Sequence, residues 1–280
     1  MIRIITDSAA DFEPAELKQL NIHCIPLAVQ IDNTVYQENV DLSKEQFYAL
    51  LAQTGAFPKT SQPAPQTVLD FYEESKAAGD QLIHITLSSA ISGTYQSALA
   101  VRNMADYDQC YIVDSRNATG GQRMLVEYAV KLRDEGCTAG EIVAALESLR
   151  DRVVLYACMD TLEYLYLGGR ISHTVYKLGS LAQIKPIIRV DEQGGIEVPA
   201  KAMGIRKGMD ILCKKTELLP PDPAFPIYVM YTGDRTNGEK LAQKLNSMGH
   251  SIPDDQIINV GAAIGSHVGP GACGLVYIAK

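Results

Sequence analysis

The 280-residue chain lacks several features, and each absence excludes a class of protein. It has no run of about 18 apolar residues, so we expect no membrane-spanning helix. Its first residues, Met1 to Asp7, lack the long apolar region of a signal peptide, and we therefore expect a cytoplasmic protein. The net charge of -8 and the lack of a dense block of lysine and arginine argue against a nucleic-acid partner.

The chain also lacks the short motifs that mark common enzyme classes. Neither Gly-x-x-x-x-Gly-Lys-Ser/Thr nor Gly-x-Gly-x-x-Gly occurs, so the usual nucleotide-binding loops are absent. No Gly-x-Ser-x-Gly pattern marks a hydrolase nucleophile. The five histidines lack metal-ligand spacing, and the six cysteines are scattered without a Cys-x-x-Cys pair. We therefore expect no metal site, and free thiols in a reducing compartment.

The most informative stretch of the chain runs from Leu82 to Ala98. It begins with an apolar run of strand length and continues at once into hydroxyl and glycine residues, Ser88 to Thr94. Apolar residues at helical spacing then predict a helix. The free N–H groups of a helix's first turn favour an anionic ligand, whereas Ser92 or Thr94 also suits a simple helix cap. The pattern leaves both interpretations open.

Strands and helices alternate through the first 158 residues, which predicts a largely parallel sheet covered by helices on both faces. Val153 to Cys158 is interpreted as the last strand of this series. Three of the predicted strands end in clusters of hydroxyl, aspartate and glycine residues, namely Thr6–Ser8, Ser88–Gly93 and Asp114–Gly121. Because open α/β sheets bind ligands outside the carboxyl ends of their strands, we expect the clusters to converge on one site.

Two further segments are predicted loops that carry candidate ligand-binding side chains. Three prolines within residues 57–65 exclude a helix and a central strand, so we predict a rigid loop that holds Thr60 and Ser61 at low entropic cost. His267 lies between Gly265 and Gly271, where the glycines leave a ligand's head group room to approach. We place a boundary near residues 158–162, between an N-terminal α/β domain, 1–158, and a C-terminal mixed α/β domain, 159–280.

Four segments, together with the opening Thr6-Asp-Ser8, resemble the DegV family. The segments are Thr60-Ser-Gln-Pro63, Leu87-Ser-Ser-Ala-Ile-Ser-Gly-Thr-Tyr95, Gly168-Gly-Arg-Ile-Ser172 and Gly265-Ser-His-Val-Gly-Pro-Gly271. The likeness covers essentially the whole chain, and the segments occur in the family's order. It implies a two-domain α/β protein that holds one long-chain fatty acid (C14–C18) in a cleft between its domains, without a cofactor.

The resemblance also implies a partner and a set of binding residues. Related members act as the acyl-binding subunit of bacterial fatty acid kinase, and they present the carboxylate to a separate ATP-binding kinase that makes an acyl phosphate for phospholipid synthesis. The family's carboxylate-binding hydroxyls fall on Thr60 and Ser92, beside Ser61 and Gly93, and its head-group histidine falls on His267. Arg170 is expected near the pocket mouth or the kinase-docking face. No residue is assigned a catalytic or metal-binding role.

Two positions depart from the family's pattern. Leu167 stands where the family often has a lysine, which weakens the case for a basic docking patch, and Ala64 replaces a frequent hydroxyl residue. Because Asp7 and Asp114 would repel a carboxylate, we predict that they hold loop backbone instead. The candidate walls of the acyl site are apolar residues near the motifs, namely Ile91, Leu165, Ile171, Leu178 and Leu181.

Two other functions remain open from the residues. Ser92 or Thr60 as a nucleophile, with His267 as its base, would make a hydrolase-like enzyme, although no acidic partner can be assigned. Hydroxyl-rich loops at helix N-termini also bind phosphates, so a sugar- or phosphate-binding regulatory module is a third candidate.

Overall fold

Two β-sheets and a small third sheet carry the fold, and the computed structural model describes residues 1–179 and 183–280. The strands are β1 (Ile2–Asp7), β2 (Ile22–Ile25), β3 (Ala28–Ile31), β4 (Thr34–Gln37), β5 (Lys59–Ser61), β6 (Gln81–Thr86), β7 (Cys110–Asp114), β8 (Val153–Cys158), β9 (Ile184–Val190), β10 (Ile196–Met203), β11 (Tyr228–Tyr231), β12 (Ile257–Asn259) and β13 (Cys273–Ile278). The helices are α1 (Pro14–Gln19), α2 (Lys44–Thr54), α3 (Pro65–Ala77), α4 (Thr94–Met104), α5 (Thr119–Asp134), α6 (Ala139–Arg150), α7 (Glu163–Leu167), α8 (His173–Gly179), α9 (Ile205–Leu218), α10 (Thr236–Ser247) and α11 (Ala262–Val268). Within these two ranges, none of the helices has the length and apolar character needed to cross a membrane.

The first sheet is parallel throughout, with the strand order β2-β1-β6-β7, as the alternating pattern predicts. Its central strands are buried on both faces. Ile5 and Leu82 pack against α3 and α4, whereas Ile4 and Ile83 pack against α5 and α6. Burial on both sides explains why these strands are almost continuously apolar in sequence. The carboxyl ends of the strands meet at one edge, where the predicted hydroxyl clusters begin.

The second sheet is mixed, with the order β10-β9-β8-β13-β11-β12, and β11 and β12 form its parallel pair. Strand β8 pairs antiparallel with both β9 and β13, so assigning Val153–Cys158 to the first series of strands is wrong. The apolar sequence of β8 suits either sheet. Its pairing with β13, more than a hundred residues later in the chain, places it in the second sheet. A division of the chain by sheets falls before Val153, while the domain boundary near residues 158–162 stays a prediction.

The proline-rich segment differs in one respect from the predicted loop. Lys59–Ser61 form the short edge strand β5, which pairs antiparallel with β3 in a three-stranded sheet of order β4-β3-β5. Pro58 and Pro63 flank the paired residues and therefore do not interrupt the ladder, which an edge strand tolerates. Thr60 is paired with Val29, so a ladder rather than an isolated stiff loop holds it in place.

The capping boxes read from the sequence define two helix starts. Ser43 Oγ accepts from Gln46 N at the start of α2, and Thr138 Oγ1 accepts from Glu141 N at the start of α6. In both cases the side chain of the third helical residue accepts a hydrogen bond from the cap residue's N–H. The patterns Ser43-Lys-Glu-Gln46 and Thr138-Ala-Gly-Glu141 predict these two helix starts from the sequence, and the structure confirms them.

A buried arginine ties the first sheet's helices to the second sheet. Arg123 of α5 is 4% exposed and donates to Glu127 at 2.9 Å and to Glu16. Its guanidinium also lies over the rings of Phe12 and Tyr228, at 4.4 and 5.3 Å from their centroids. Tyr228 belongs to β11, so this cluster joins α1 and α5 to the C-terminal sheet.

Replacing Arg123 with leucine should strongly destabilise the protein. The substitution leaves Glu127, which is largely buried, without its cation, and removing one partner of a buried pair costs about 3–5 kcal/mol. Urea unfolding measures the change in the free energy of unfolding. The matched control is Arg235→Leu, because Arg235 makes its ion pairs at the surface, where the loss is about 1 kcal/mol or less. Equal losses in the two variants would contradict the role assigned to Arg123.

Candidate functional site

A cavity of about 340 Å³ lies between the second sheet and the loops at the carboxyl edge of the first. This volume is within the range of about 300–1,000 Å³ typical of small-molecule sites. All six residues predicted for the site line it, namely Thr60, Ser61, Ser92, Gly93, Arg170 and His267. The remaining wall is mostly apolar and includes Leu27, Leu87, Ile91, Leu155, Ala157, Leu165, Ile188, Met230, Ile264 and Gly274.

The polar end of the cavity is built around one long-range hydrogen bond. Thr60 Oγ1 lies 2.8 Å from His267 Nε2, although 207 residues separate the two in sequence. Thr60 comes from β5, and His267 comes from the last turn of α11 rather than from the glycine-rich loop that the sequence predicts. The helix ends one residue later, and Gly269 adopts a positive φ of 74° as its C-cap.

His267 is held neutral and close to another motif. Burial, followed by the nearby charge of Arg170, lowers the pKa of His267 to about 4, so the imidazole is uncharged at neutral pH. The ring lies against Gly168, where a Cβ atom would come within 2.1 Å of Nδ1. Any side chain at Gly168 would therefore displace the histidine. This contact explains why the Gly-Gly-Arg segment and the histidine segment belong to one site.

The tautomer of His267 determines what Thr60 can do. Nδ1 is buried and has no hydrogen-bond partner in the described part of the chain. An unpaired acceptor costs less than an unpaired N–H group, so we assign the proton to Nε2. Nε2–H then donates to Thr60 Oγ1, and the Thr60 hydroxyl is left free to donate its own proton into the cavity.

The second hydroxyl segment touches the first. Ser92 Oγ accepts from Thr94 N, the first helical N–H of α4, at 3.3 Å and lies 2.9 Å from Thr94 Oγ1, and Ser92 also lines the cavity. A Cβ atom on Gly93 would lie 2.7 Å from Gln62 Oε1, which shows how closely the two segments approach. The N-cap of α4 is Gly93, so neither Ser92 nor Thr94 is the helix cap that the sequence suggests.

Arg170 supplies the formal charge at this end. It is the sole lining residue with a charged side chain, and no carboxylate lies within ion-pair distance of it among the described residues. Its guanidinium donates to the carbonyl oxygens of Ile91 at 3.0 Å and of Gly168 at 2.5 Å. Partial burial lowers the pKa of Arg170 from its usual value, yet the group stays a cation. The polar end is thus suited to an anion.

Sequence comparison assigns the chain to a family. A family model described as "Uncharacterised protein, DegV family" matches residues 1–280. A DegV domain-containing protein of Clostridium perfringens is 34% identical over 282 residues, which cover 98% of this chain and 96% of that protein. The chain belongs to the DegV family.

Solved DegV structures share the fold. A DegV family protein from Thermus thermophilus, described by its fatty-acid binding, matches with a TM-score of 0.90 at 28% identity and covers 100% of this chain and 99% of its own. DegV from Bacillus subtilis, described as a fatty acid binding protein, matches with a TM-score of 0.83 at 29% identity, with coverages of 100% and 99%. The resemblance read from the four motifs is therefore confirmed.

The aspartates near the DegV motifs have the structural roles that we predict for them. Asp7 accepts from the backbone N–H groups of Ala9 at 3.1 Å and Leu87 at 2.8 Å. Asp114 accepts from Ser89 N and Arg116 N, at 3.1 and 2.9 Å. Neither carboxylate lines the cavity, so neither repels an anionic ligand there. The prediction that both aspartates hold loop backbone is confirmed.

The predicted wall residues give a mixed outcome. Ile91 and Leu165 line the cavity, whereas Ile171 packs behind its wall with Met159 and Leu162. The side chains of Leu178 and Leu181 lie outside the described residues. Sequence reasoning missed the wall that strands β8, β9, β11 and β13 provide. These strands are mostly apolar and largely buried on both faces, and such a run cannot tell a cavity wall from ordinary core.

Two buried acids fix the DegV helix that carries His267. Asp11 Oδ1 accepts from Gly261 N at 2.8 Å, and Glu38 Oε1 accepts from Ala263 N at 3.0 Å, so both hold the first turn of α11. A Cβ atom on Gly261 would lie 2.3 Å from Glu38 Oε1, so the acids need a glycine at this position. Burial, and then the charge of Asp11, raises the pKa of Glu38 to about 7.

The raised pKa of Glu38 predicts a pH-dependent stability. The folded protein binds this proton more tightly than the unfolded chain, whose pKa stays near the usual 4.5. The stabilisation is fully present below about pH 4.5 and is lost as the pH rises through about 7. In Glu38→Gln the amide oxygen still accepts from Ala263 N, and no proton titrates. The fall in unfolding free energy between about pH 5 and pH 8 should therefore be smaller, by at most about 3 kcal/mol.

Urea unfolding at a series of pH values measures this effect. The control is Glu73→Gln, because Glu73 lies exposed on α3 and should leave the slope unchanged. An unchanged slope in Glu38→Gln would show that Glu38 does not titrate in the folded protein within this range.

Proposed function

We propose that this protein binds one long-chain fatty acid (C14–C18) in the cavity, with the carboxylate at the end formed by Thr60, Ser92, His267 and Arg170. The observation that carries the proposal is the combination of an apolar wall with neutral hydroxyl donors and one unpaired cation at a single end. The solved relatives described as fatty-acid-binding proteins support the same assignment.

The tail and the head group of such a ligand contribute differently to its binding free energy. Burial is worth about 0.8 kcal/mol per CH₂ group, so a sixteen-carbon chain gains roughly 11 kcal/mol from a dry cavity. The head group must keep its hydrogen bonds, since each unpaired polar group costs about 1–3 kcal/mol. Affinity therefore comes mainly from the tail, and the hydroxyls mainly orient the carboxylate.

We further propose that the carboxylate is presented to an ATP-binding kinase. Thr60, Ser92 and His267 are partly exposed, which leaves a carboxylate at this end within reach of a second protein. In the reaction, a carboxylate oxygen attacks the γ-phosphorus of ATP, and an acyl phosphate and ADP result. The chain lacks a nucleotide loop of the usual kinds, which is consistent with a separate kinase.

The geometry gives less support to the two alternatives. In a hydrolase the base needs an orienting acid, and Nδ1 of His267 has no partner among the described residues. A sugar phosphate carries hydroxyls that an apolar wall cannot satisfy. We therefore propose a binding protein without turnover of its own, located in the cytoplasm.

Native mass spectrometry of protein expressed in bacteria tests the proposal. The expected result is a bound C14–C18 fatty acid, and ligand-free protein should take up added palmitate. Acyl phosphate should form only when ATP and a fatty acid kinase are also present, measured as a hydroxamate after trapping with hydroxylamine. Ligand-free protein that refuses palmitate would overturn the proposal, and thermal stabilisation by sugar phosphates instead would favour the regulatory module. A serine-directed phosphonate adduct on Ser92 or Thr60 would favour the hydrolase.

Thr60→Ala and Ser92→Ala should disturb the head group more than the affinity. Each removes one neutral hydrogen bond, worth about 1 kcal/mol, so the palmitate Kd should rise only about five-fold. The carboxyl carbon of labelled palmitate should shift and broaden in its NMR spectrum. Ser247→Ala, an exposed hydroxyl outside the cavity, is the control. Complete loss of lipid by a folded variant would contradict this division between tail and head.

A further inference from the structure

The cavity has a partly exposed end and a buried end. Thr60, Ser92 and His267 are partly exposed, whereas Leu155, Met230 and Thr119 are between 3% and 6% exposed. Leu155 and Met230 also pack into the core between the second sheet and α5. These residues therefore close the cavity at its buried end, where it meets the packed core. A fatty acid whose carboxylate lies at the exposed end points its tail toward these residues.

Three paired residues across the second sheet form part of the cavity floor. Gly274 of β13 pairs directly with Ala157 of β8 on one side and with Met230 of β11 on the other. All three line the cavity. A glycine inside a strand marks a place where another molecule or backbone approaches closely. Here the absence of a side chain at Gly274, beside the small Ala157, leaves a shallow depression in the sheet.

Met230 ends this row against α5. Its Sδ lies 3.3 Å from Thr119 Oγ1, and a Cβ atom on Gly274 would lie 3.1 Å from its Cε. Behind it, a Cβ atom on Gly120 would meet Val276 Cγ1 at 2.6 Å, and Val276 is fully buried. The first residues of α5 thus press onto the sheet and leave no space beyond Met230. Thr119 has a left-handed backbone, with φ at 46°, which is rare for a β-branched residue.

We propose that Met230 is the chain-length stop of the site, with Leu155 and Thr119 as the fixed wall around it and the Ala157–Gly274 depression as the path that leads to it. The inference rests on the proposed function, because it concerns the ligand's tail. Methionine suits this position because its unbranched side chain fills an irregular gap. Its replacement by alanine shortens the side chain without a change in polarity.

The proposal makes a quantitative prediction for a series of saturated acids. Each additional buried CH₂ group should lower the Kd about four-fold until the tail reaches the stop, after which longer acids gain nothing. Met230→Ala removes three heavy atoms at the stop and should move this break about two carbons toward longer acids. Ala157→Leu adds three heavy atoms to the path and should move the break toward shorter acids. Relative to wild type, the preference between acids on either side of the break should change about ten-fold in each case.

The measurement is a set of Kd values for acids from 12 to 22 carbons, obtained by displacement of a fluorescent fatty acid. The matched control is Met209→Ala, because Met209 of α9 is 4% exposed, packs against the opposite face of the same sheet and does not line the cavity. It loses the same atoms and should keep the wild-type break. If Met230→Ala does not fold, Ala157→Leu alone decides the outcome.

The possible failures can be told apart. If the wild-type protein binds no acid of any length, the proposed function fails. If it binds acids with a clear break that neither Met230→Ala nor Ala157→Leu moves, the stop lies elsewhere and this inference fails, while the proposed function stands. A break that Met209→Ala moves equally would show a general loosening of the core rather than a stop, and this too would overturn the inference.

Discussion

The hydrogen bond between Thr60 and His267 is the interaction on which the arrangement of the site depends. It joins the edge strand of the smallest sheet to the last turn of α11 across the mouth of the cavity. Asp11 and Glu38 hold the first turn of that helix, and Gly168 gives the imidazole its space. A neutral histidine donor leaves the threonine hydroxyl available to a ligand, and Arg170 is the charged side chain at the same end of the cavity.

Small residues recur wherever the cavity needs room. Gly93 admits Gln62, Gly168 admits His267, and Gly274 opens the floor of the second sheet. In each case a Cβ atom would lie too close to a neighbouring protein atom, at 2.7, 2.1 and 2.9 Å respectively. Bulky residues, among them Leu155 and Met230, line the cavity where it meets the core under α5. The shape of the site therefore follows from where side chains are left out as much as from where they are placed.

Much of the first half of the fold could be predicted from local patterns. Apolar runs followed by polar clusters indicate parallel strands with a site at their carboxyl ends, and capping boxes mark the starts of α2 and α6. The sheet membership of β8 could not be predicted, because its sequence suits either sheet and its partner β13 lies at the end of the chain. The helical setting of His267 was also missed, since α11 is only seven residues long and lies between Gly261 and Gly269.

The sequence by itself determined the family, the parallel N-terminal sheet and six residues that line the cavity, because these are carried by local motifs in a recognisable order. Only the tertiary structure decided how the motifs meet, which tautomer His267 adopts, and which strand residues form the apolar wall. The physical reason is that a cavity wall and a packed core require the same apolar residues. A core residue faces packed side chains, whereas a wall residue faces the cavity. Which of the two occurs depends on residues that are far apart in the chain.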